Sequence, residues 1–427
     1  MTLREDANYI IANAIKRVLP DEAVTRAIKE KLDNGGFSQG KIYVVAAGKA
    51  GWQMAKAASD ILKDSIAEGI CITKYNHVCG DIPGFICIEA GHPVPDENSF
   101  KGTEQVLKLA EKLTAQDTVI FLLSGGGSAL FEKPLVSGEE LADITSQLLA
   151  CGADITEINT IRKRLSAVKG GKFAKLCEPA KIFSIVLSDI VGDPLDMIAS
   201  GPAYPDSSSS ADALAVIEKY NIRLSDTAME YMNIETPKEI TNVETVITGS
   251  VKNLCIAAAE ACKDLGYAPI VLTDQLTCEA REAGAFLSAI AKSNSGLSEC
   301  SFAYGGLAET EGISKAFIVG GETVVYLTGN GKGGRNQELA LSAAEGISGL
   351  DNVCVFSVGS DGTDGPTDAA GGYVDGSTLV NLEKQGFRIY NVLKENDAYN
   401  ALSKVGGLII TGATGTNVND FAVLLIK

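Results

Sequence analysis

Aromatic residues, histidines and paired cysteine motifs are scarce in this chain of 427 residues. Aromatics make up 6% of it, and His77 and His92 are its only histidines. Its ten cysteines form no C-x-x-C pair. Zinc sites need clustered cysteine or histidine ligands, so the sequence does not indicate a zinc protein. Several cysteines lie in apolar runs, which predicts free, buried thiols in a reducing cytosol.

Positive charge is also in deficit. Lysine and arginine number 37 against 54 acidic residues, which gives a formal net charge of −17. Such a surface repels nucleic acid and anionic membranes, so we expect neither as a partner. A local cluster of lysine and arginine can still bind an anionic substrate.

Long apolar runs and targeting signals are missing as well. No run approaches the ~20 apolar residues that cross a bilayer. The N-terminus, MTLREDANYIIANAIKRVLP, predicts an amphipathic helix and not a signal peptide. We therefore predict a cytoplasmic protein. The sequence leaves the oligomeric state open, with a homodimer among the alternatives.

Glycine is abundant, at 45 residues, and apolar patterns alternate along the first half of the chain. The predicted strands are residues 41–47, 69–75, 85–90, 118–123 and 182–187. The predicted helices between them include residues 49–63, 99–113 and 139–151. This alternation predicts an α/β fold with a parallel sheet and helices on both faces. In such sheets, ligands bind beyond the carboxyl ends of the strands.

The length of the chain predicts two domains. A break in the pattern places their boundary near residue 235, which gives domains 1–235 and 236–427. Further strands are predicted at residues 245–248, 269–273, 353–358, 408–411 and 421–426, and further helices at residues 251–265 and 277–292. Residues 316–327 are interpreted as two short strands joined at Gly320 and Gly321.

A strand, a glycine turn and a lysine meet in the segment VVAAGKAG, residues 44–51. The backbone N–H groups at the start of the following helix favour an anion, and Lys49 beside Gly48 adds a positive charge. The segment is not a Walker A loop, because Tyr43 replaces its first glycine and Ala50 its final Ser/Thr. The alternative is that Lys49 is an ordinary exposed residue of a first helical turn.

A second glycine loop follows the predicted strand 118–123. Its residues are Ser124, Gly125, Gly126, Gly127 and Ser128. Successive glycines let a ligand approach the backbone closely, and both serines can donate hydrogen bonds. We predict a binding function for this loop, because a plain connecting turn does not need three glycines.

Acidic residues crowd the loop after the predicted strand 182–187. Mg²⁺ prefers oxygen ligands and usually takes one or two carboxylates together with phosphate and water. Asp189 and Asp193 are therefore candidate metal ligands. Helix or turn capping is the alternative for Asp189, and it is the favoured interpretation for Asp196.

The segment GGETVVYLTGNGKGGRNQELAL, residues 320–341, contains two cations in a glycine loop. Arg335 falls in the first turn of a predicted helix, where a cation is electrostatically unfavourable. A bound anion would reverse that penalty, so we predict that Arg335 and Lys332 contact phosphate. The G-x-G-x-x-G match at residues 329–334 is interpreted as weak, because it lies beside a predicted hairpin.

Two further strand-end loops, residues 357–368 and 411–420, are dense in small, polar and acidic residues. They could hold Mg²⁺, ribose or substrate hydroxyls, and the candidates are Asp361 and Asn417. Ordinary turn chemistry is the alternative for both loops.

Together these segments resemble the class II glycerate kinases, also called the MOFRL family. The matching stretches run in order between residues 46 and 421: AAGKAG, LLSGGGSAL, SDIVGDPLDMIASGPAYPD, GGETVVYLTGNGKGGRNQELAL, GSDGTDGPTDAAGG and TGATGTNVNDF. Six ordered matches are more specific than any one alone. Residues 235–310 add little to the resemblance.

The resemblance implies a Rossmann-like N-terminal domain and a smaller mixed α/β C-terminal domain, which contains the MOFRL module at residues 315–421. It places the active site in the cleft between the two domains. It implies phosphorylation of D-glycerate at the 2-hydroxyl, with ATP and a divalent cation, Mg²⁺. The catalytic candidates by this resemblance are Lys49 and Arg335.

In physical terms, Lys49 and Arg335 would clamp the phosphoryl group that moves. Some of Asp189, Asp193, Asp361 and Glu322 would hold Mg²⁺. The predicted substrate and nucleotide contacts are Gly48, Ser124, Gly125, Gly126, Gly127, Ser128, Glu322, Lys332, Asn336 and Asn417.

Two other functions compete with a kinase. An NAD(P)H-dependent hydroxypyruvate reductase usually needs a histidine acid, and His92, next to a proline, is interpreted as structural. A non-enzymatic sensor of nucleotides or sugar acids usually carries an output module, and the sequence shows none. The choice of the 2-hydroxyl over the 3-hydroxyl rests on the resemblance.

Overall fold

The computed structural model describes residues 2–294 and 313–427, and the chain divides into two compact units. The N-terminal unit comprises Pro20–Asp189 and Asp193–Thr248. The C-terminal unit comprises Met1–Leu19, Ile190–Gly192 and Gly249–Lys427. The strands form two sheets of six strands each.

The helices are numbered α1–α16 in chain order. They are Leu3–Arg17, Pro20–Asp33, Gly51–Leu62, Glu97–Ala110, Gly127–Leu130, Gly138–Ala150, Ile155–Arg164, Lys172–Cys177, Ser210–Tyr220, Asp226–Met232, Val251–Asp264, Ala280–Asn294, Arg335–Gly346, Thr378–Lys384, Ile389–Lys394 and Ala398–Lys404. Several begin at a side-chain cap. The Asp96 carboxylate, for example, accepts hydrogen bonds from Asn98 N and Ser99 N at the start of α4.

The first sheet belongs to the N-terminal part of the chain. Its strands β1–β6 are Ile42–Ala47, Ile66–Lys74, Phe85–Ala90, Thr118–Leu123, Lys181–Leu187 and Val243–Gly249. They lie in the order β3-β2-β1-β4-β5-β6, with parallel ladders from β3 through to β5. This is the strand order of a doubly wound, Rossmann-like sheet, so the predicted fold class is confirmed. Strand β4, TVIFLL, is buried throughout, as expected for a central strand covered on both faces.

The second sheet is mixed. Its strands β7–β12 are Ala268–Leu276, Lys315–Gly321, Val353–Gly359, Gly371–Asp375, Leu408–Ile409 and Asp420–Ile426. They lie in the order β11-β10-β9-β12-β8-β7, with β7 and β8 parallel and the other ladders antiparallel. Side chains of β8 alternate between two cores: Ile318 packs with α1 and α11, whereas Phe317 packs with α12 and α13. A mixed α/β architecture is thus confirmed for this half.

The N-terminal helix α1 belongs to the C-terminal unit. Its apolar face packs on α11 and the second sheet, and buried Asp6 accepts a hydrogen bond of 2.7 Å from Tyr267 Oη. The main boundary between the compact units therefore lies at residues 248–249, later than the boundary near 235 that the sequence predicts. In addition, the first helix of the chain is part of the C-terminal unit. The amphipathic helix itself was predicted, but the partner for its apolar face lies more than two hundred residues away and leaves no local signal.

The predicted hairpin at residues 316–327 is wrong. One strand, β8, ends at Gly321, which has a φ of 153°. A Cβ at Gly321 would overlap the backbone of Leu276, so the chain turns away here at a position that only glycine can fill. Beyond it, Val324 forms only an isolated bridge with Glu279.

Nine cysteines in the described residues are free, and five of them are buried. Cys300 lies outside the described residues. Among the helices of residues 2–294 and 313–427, none has the length and apolarity needed to cross a membrane.

Candidate active site

Two glycine loops meet where neighbouring parallel strands β1 and β4 end. Ala47 and Leu123 are paired at the ends of these strands, which brings Gly48 and Ser124 together. Gly48 has a φ of 129°, and a Cβ there would overlap the Ser124 hydroxyl. The two loops therefore pack directly on each other, and glycine at position 48 is a steric requirement.

Backbone hydrogen bonds fix Lys49 against the second loop. Lys49 N donates to Gly125 O over 2.8 Å, and Ala50 N donates to Ser124 Oγ over 3.1 Å. The Lys49 carbonyl oxygen lies 3.1 Å from His77 Nδ1. The ammonium group of Lys49, in contrast, forms no ion pair or hydrogen bond with any described residue. This leaves a positioned cation available for an anion at the carboxyl edge of the sheet.

The middle glycines of the loop lie against groups that could contact a ligand. A Cβ at Gly125 would overlap the Asp189 carboxylate. A Cβ at Gly126 would lie 2.9 Å from His92 Cδ2 and 3.1 Å from Lys49 Cγ. Three of the predicted site residues, Lys49, Gly126 and Asp189, are thus brought to one edge of the sheet, as predicted for strand-end loops.

His92 belongs to this edge, although the sequence suggested a structural role. Burial, followed by the positive charges of Lys49 and Lys74, lowers the pKa of His92. The ring is therefore neutral near pH 7. Neither of its nitrogens has a hydrogen-bond partner among the described residues. His92 is therefore a candidate for contact with a ligand because of where the fold places it, which its position before a proline in the sequence does not indicate.

The end of the loop rests on a strained segment of backbone. Ala199 and Ser200 have left-handed φ values of 51° and 61°, which are uncommon for residues other than glycine. A Cβ at Gly127 would lie 2.7 Å from the Ala199 side chain, and Ser128 Oγ lies 3.3 Å from Ser200 Oγ. Strain of this kind concentrates at functional sites, where the surrounding structure holds it in place.

Asp193 combines two further unusual features. Its φ of 51° is left-handed, and its Oδ1 atom is buried without a hydrogen-bond partner within the described part of the chain. An unpaired buried carboxylate oxygen is unfavourable, and a cation would satisfy it. Asp196, in contrast, accepts hydrogen bonds from the side chains of Lys163 and Ser207, so these contacts replace the helix or turn capping that was predicted for it.

In the C-terminal unit, two carboxylates hold Arg335. Its guanidinium group forms a two-point contact with Asp420 and an ion pair of 3.1 Å with Glu322. Burial alone would lower the pKa of Arg335, but the hydrogen bond and charge of Asp420 outweigh burial and raise it. The unfavourable position at the start of α13, which suggested a bound anion, is therefore compensated by the protein's own acids.

Asp364 caps α13 beneath this arginine. It accepts hydrogen bonds from Asn336 N and Gln337 N, and burial raises the pKa of Asp364 to about 7. The Asn336 side chain, a predicted ligand contact, is only 2% exposed and is hydrogen-bonded to Asp364 and Ser357. In this structure its side chain supports the start of α13.

The remaining predicted residues of this unit lie in turns. The Lys332 amine stands 3.9 Å from the centre of the Tyr399 ring. Asp361 Oδ1 accepts a hydrogen bond from Thr363 N. Asp361 and Asp420 both lie close to Gly359, since a Cβ there would be 3.3 Å from an oxygen of each carboxylate. Asn417 is exposed and accepts a hydrogen bond from Asn419 N. The sequence did not single out Asp420 as the partner of Arg335, because the two residues lie 85 positions apart and the pairing forms only in the folded unit.

The donor groups are compatible with a metal–phosphate complex. No three acidic, histidine or cysteine side chains cluster as a ready-made metal site within residues 2–294 and 313–427. Mg²⁺ does not need such a cluster, because phosphate and water supply most of its ligands. Mg²⁺ therefore needs only one or two protein ligands. Asp193 Oδ1, which has no partner among the described residues, could be one, and the glycine surface at residues 124–128 leaves room for the phosphate.

The close contact between Gly48 and Ser124 allows a matched stability test. Gly80 has a nearly identical φ of 124°, but a Cβ there would meet nothing within 4 Å. We expect Gly80→Ala to cost about 1 kcal/mol from the backbone conformation alone. Gly48→Ala should cost about 2 kcal/mol more, because it displaces the Ser124 loop. Urea unfolding measures both, and equal losses would contradict the packing of the two loops.

Known proteins resemble the whole chain. The model of a domain of unknown function, DUF4147, matches residues 6–233, and that of the MOFRL family matches residues 315–420. The D-glycerate 2-kinase of Thermotoga maritima is 51% identical, with 100% of this chain and 99% of the relative covered. The glycerate 2-kinase of Pyrococcus horikoshii is 40% identical, with 100% and 98% covered. A relative from Agrobacterium vitis, 35% identical with 100% and 95% covered, is provisionally named a hydroxypyruvate reductase.

Solved structures agree with these relatives. The crystal structure of glycerate kinase from Thermotoga maritima matches with a TM-score of 0.91, at 51% identity and with 100% and 99% of the two chains covered. A protein from Pyrococcus horikoshii matches with a TM-score of 0.92, at 40% identity and with 100% and 99% covered.

Proposed function

The chain belongs to the glycerate 2-kinase (MOFRL) family, and we propose that it transfers the γ-phosphoryl group of ATP to the 2-hydroxyl of D-glycerate. The bond between the 2-hydroxyl oxygen and phosphorus forms, the bond between phosphorus and the ADP oxygen breaks, and the hydroxyl proton passes to a base. The products are 2-phosphoglycerate and ADP. The relative with the highest identity reported above carries the name of this activity.

One observation supports the proposal most directly: the backbone and stem of Lys49 lie against the glycine loop of residues 124–128, and its ammonium group has no partner among the described residues. Phosphoryl transfer needs positioning and charge neutralisation more than covalent catalysis. The backbone contact to Gly125 fixes the start of the Lys49 side chain, and Gly126 leaves space beside it. Lys49 can therefore neutralise a phosphoryl group that lies over the loop.

The acidic residues complete the proposed site. In the N-terminal unit, Mg²⁺ would be held by Asp189, which lies against Gly125, and by Asp193, whose Oδ1 has no partner in residues 2–294 and 313–427. When bound, Mg²⁺ supplies neutralisation of the phosphate charge. In the C-terminal unit, Asp361 and Glu322 remain predicted ligands. We also predict that Arg335, Lys332 and Asn417 contact the nucleotide or the transferred group. A further prediction is that Lys49 and Arg335 bind the same phosphoryl group.

Product identification tests the proposal. The purified chain is incubated with ATP, Mg²⁺ and D-glycerate, and the product is identified by ³¹P NMR. We expect 2-phosphoglycerate, formed only when glycerate is present. A signal from 3-phosphoglycerate would contradict the position of transfer. Oxidation of NADH or NADPH in the presence of hydroxypyruvate, without ATP consumption, would favour the reductase.

The cellular setting is part of the proposal. The free cysteines in the described part of the chain fit a reducing cytoplasm, and a homodimer is a further expectation. Equilibrium sedimentation of the reduced protein measures the oligomeric state directly.

We predict a moderate contribution of His92 to turnover. Its neutral ring lies beside Gly126 and Lys49 and can accept a hydrogen bond from a substrate hydroxyl. His92→Ala should lower kcat/KM about tenfold, the loss expected for one hydrogen bond in the site. Steady-state kinetics measures this, with the melting temperature as a control for folding. Unchanged kinetics in a folded variant would exclude contact between His92 and the substrate.

A further inference from the structure

Arg162 is a half-buried cation beside the glycine loop, and no charge in the described residues compensates it. It lies near the end of α7, and its Nη2 donates a hydrogen bond of 3.1 Å to Ser128 O. Its Nε atom is buried without an acceptor, and the guanidinium group forms no ion pair with any described residue. The sequence gives no local signal for this residue, because it lies in a run of basic residues, IRKR, outside the glycine motifs.

The neighbouring cations are compensated within the described residues, three of them by acids and Lys172 by three backbone carbonyl oxygens. Lys163 pairs with Asp206 at 2.9 Å, and Arg164 approaches the same carboxylate at 3.8 Å. Lys169 pairs with Glu132, and both are fully buried. Lys163, Arg164 and Lys169 thus each lie beside a carboxylate, as expected for charges removed from water. Among the described residues Arg162 has no acid and a single carbonyl acceptor, in a protein of net charge −17, which points to an anion supplied from outside the chain.

We propose that Arg162 binds the carboxylate of the substrate, an inference that rests on the proposed function. A guanidinium group presents a rigid fork of N–H donors that matches a carboxylate at two points. Within the described part of the chain its one hydrogen bond goes to Ser128 O, which leaves the terminal N–H groups for this purpose.

The surroundings of Arg162 suit the rest of a small hydroxy acid. Asn159 lies three residues earlier on the same helix, and residues at this spacing share a helix face. Its side-chain oxygen accepts a hydrogen bond of 2.9 Å from Ser200 Oγ, which in turn lies 3.3 Å from Ser128 Oγ. Asn159 and Ser200 are buried and support the loop from beneath, whereas Ser128 is partly exposed and can contact a hydroxyl of glycerate. Ser128 belongs to the same loop as Gly125, which binds the backbone of Lys49, so carboxylate and phosphoryl group would share one loop.

The test compares D-glycerate with glyceramide, in which a neutral amide replaces the carboxylate. In the full-length protein, we expect Arg162→Gln to raise the KM for glycerate about 100-fold, the loss of two charge-assisted hydrogen bonds. The KM for ATP should stay within about twofold, and kcat should change little, because the interaction forms equally in ground and transition states. The wild-type preference for glycerate over glyceramide, as a ratio of kcat/KM values, should disappear. Arg162→Lys should keep part of that preference.

Controls separate this inference from folding and from the proposed function. Arg223→Gln removes an exposed arginine from the same unit and should match the wild type in every assay. If Arg162→Gln fails to fold, Arg162→Lys undergoes the same comparison. A folded variant that retains the full wild-type preference for glycerate, or that loses affinity for ATP instead, would overturn the carboxylate assignment. A wild-type protein that phosphorylates no glycerate would overturn the proposed function itself.

Discussion

Replacing Lys49 with methionine should lower kcat about 1,000-fold, the loss typical of a donor that stabilises charge in a transition state. The free energy of unfolding should change by less than about 0.5 kcal/mol. Both expectations follow from one observation, since the Lys49 ammonium has no partner among the described residues while its stem lies against Gly126. Methionine keeps the stem and removes only the charge.

Turnover of ATP with D-glycerate measures the first effect, and urea unfolding measures the second. Lys101→Met provides the matched control, because Lys101 is an exposed lysine of the same unit, on α4. That control should keep wild-type turnover. A Lys49→Met protein with kcat within tenfold of the wild type would show that the positioned cation does not act on the transferred group.

Replacing Arg335 with methionine should also lower kcat by roughly 1,000-fold, the low end of the range for an arginine that stabilises a phosphoryl transition state. Here stability should fall as well, by about 1–3 kcal/mol, because the buried Asp420 loses its partner. The two-point contact between Arg335 and Asp420 is the structural reason for this difference from Lys49.

A double variant separates the two effects of Arg335. Arg335→Met combined with Asp420→Asn removes the cation and the buried charge together, so most of the lost stability should return while turnover stays low. Arg388→Met, at an exposed arginine of the same unit, is the control and should behave as the wild type. Recovery of turnover in the double variant would mean that Arg335 only neutralises Asp420.

The strand-end loops could be predicted because their signals are local. A buried parallel strand such as TVIFLL is a continuous apolar run, and the glycines after it mark a close approach of backbones. The structure adds the reason for particular glycines, since Gly48 excludes a Cβ and Gly125 lies against Asp189. The predicted hairpin at residues 316–327 is wrong because its outcome depends on a contact with a distant part of the chain. Its sequence has strand-forming residues, but Gly321 packs on Leu276 from another strand and ends the pairing.

The sequence by itself determined the α/β class, the glycine loops and the cations at residues 49 and 335. Each of these depends on neighbours a few residues apart, through apolar periodicity and backbone freedom. Only the tertiary structure decided that α1 packs in the C-terminal unit, that Asp420 holds Arg335, that His92 lies beside Gly126, and that Arg162 has no acidic partner among the described residues. Those contacts join residues that are far apart in the chain. Which residues meet depends on how the strands and helices pack together, and the local sequence does not encode it.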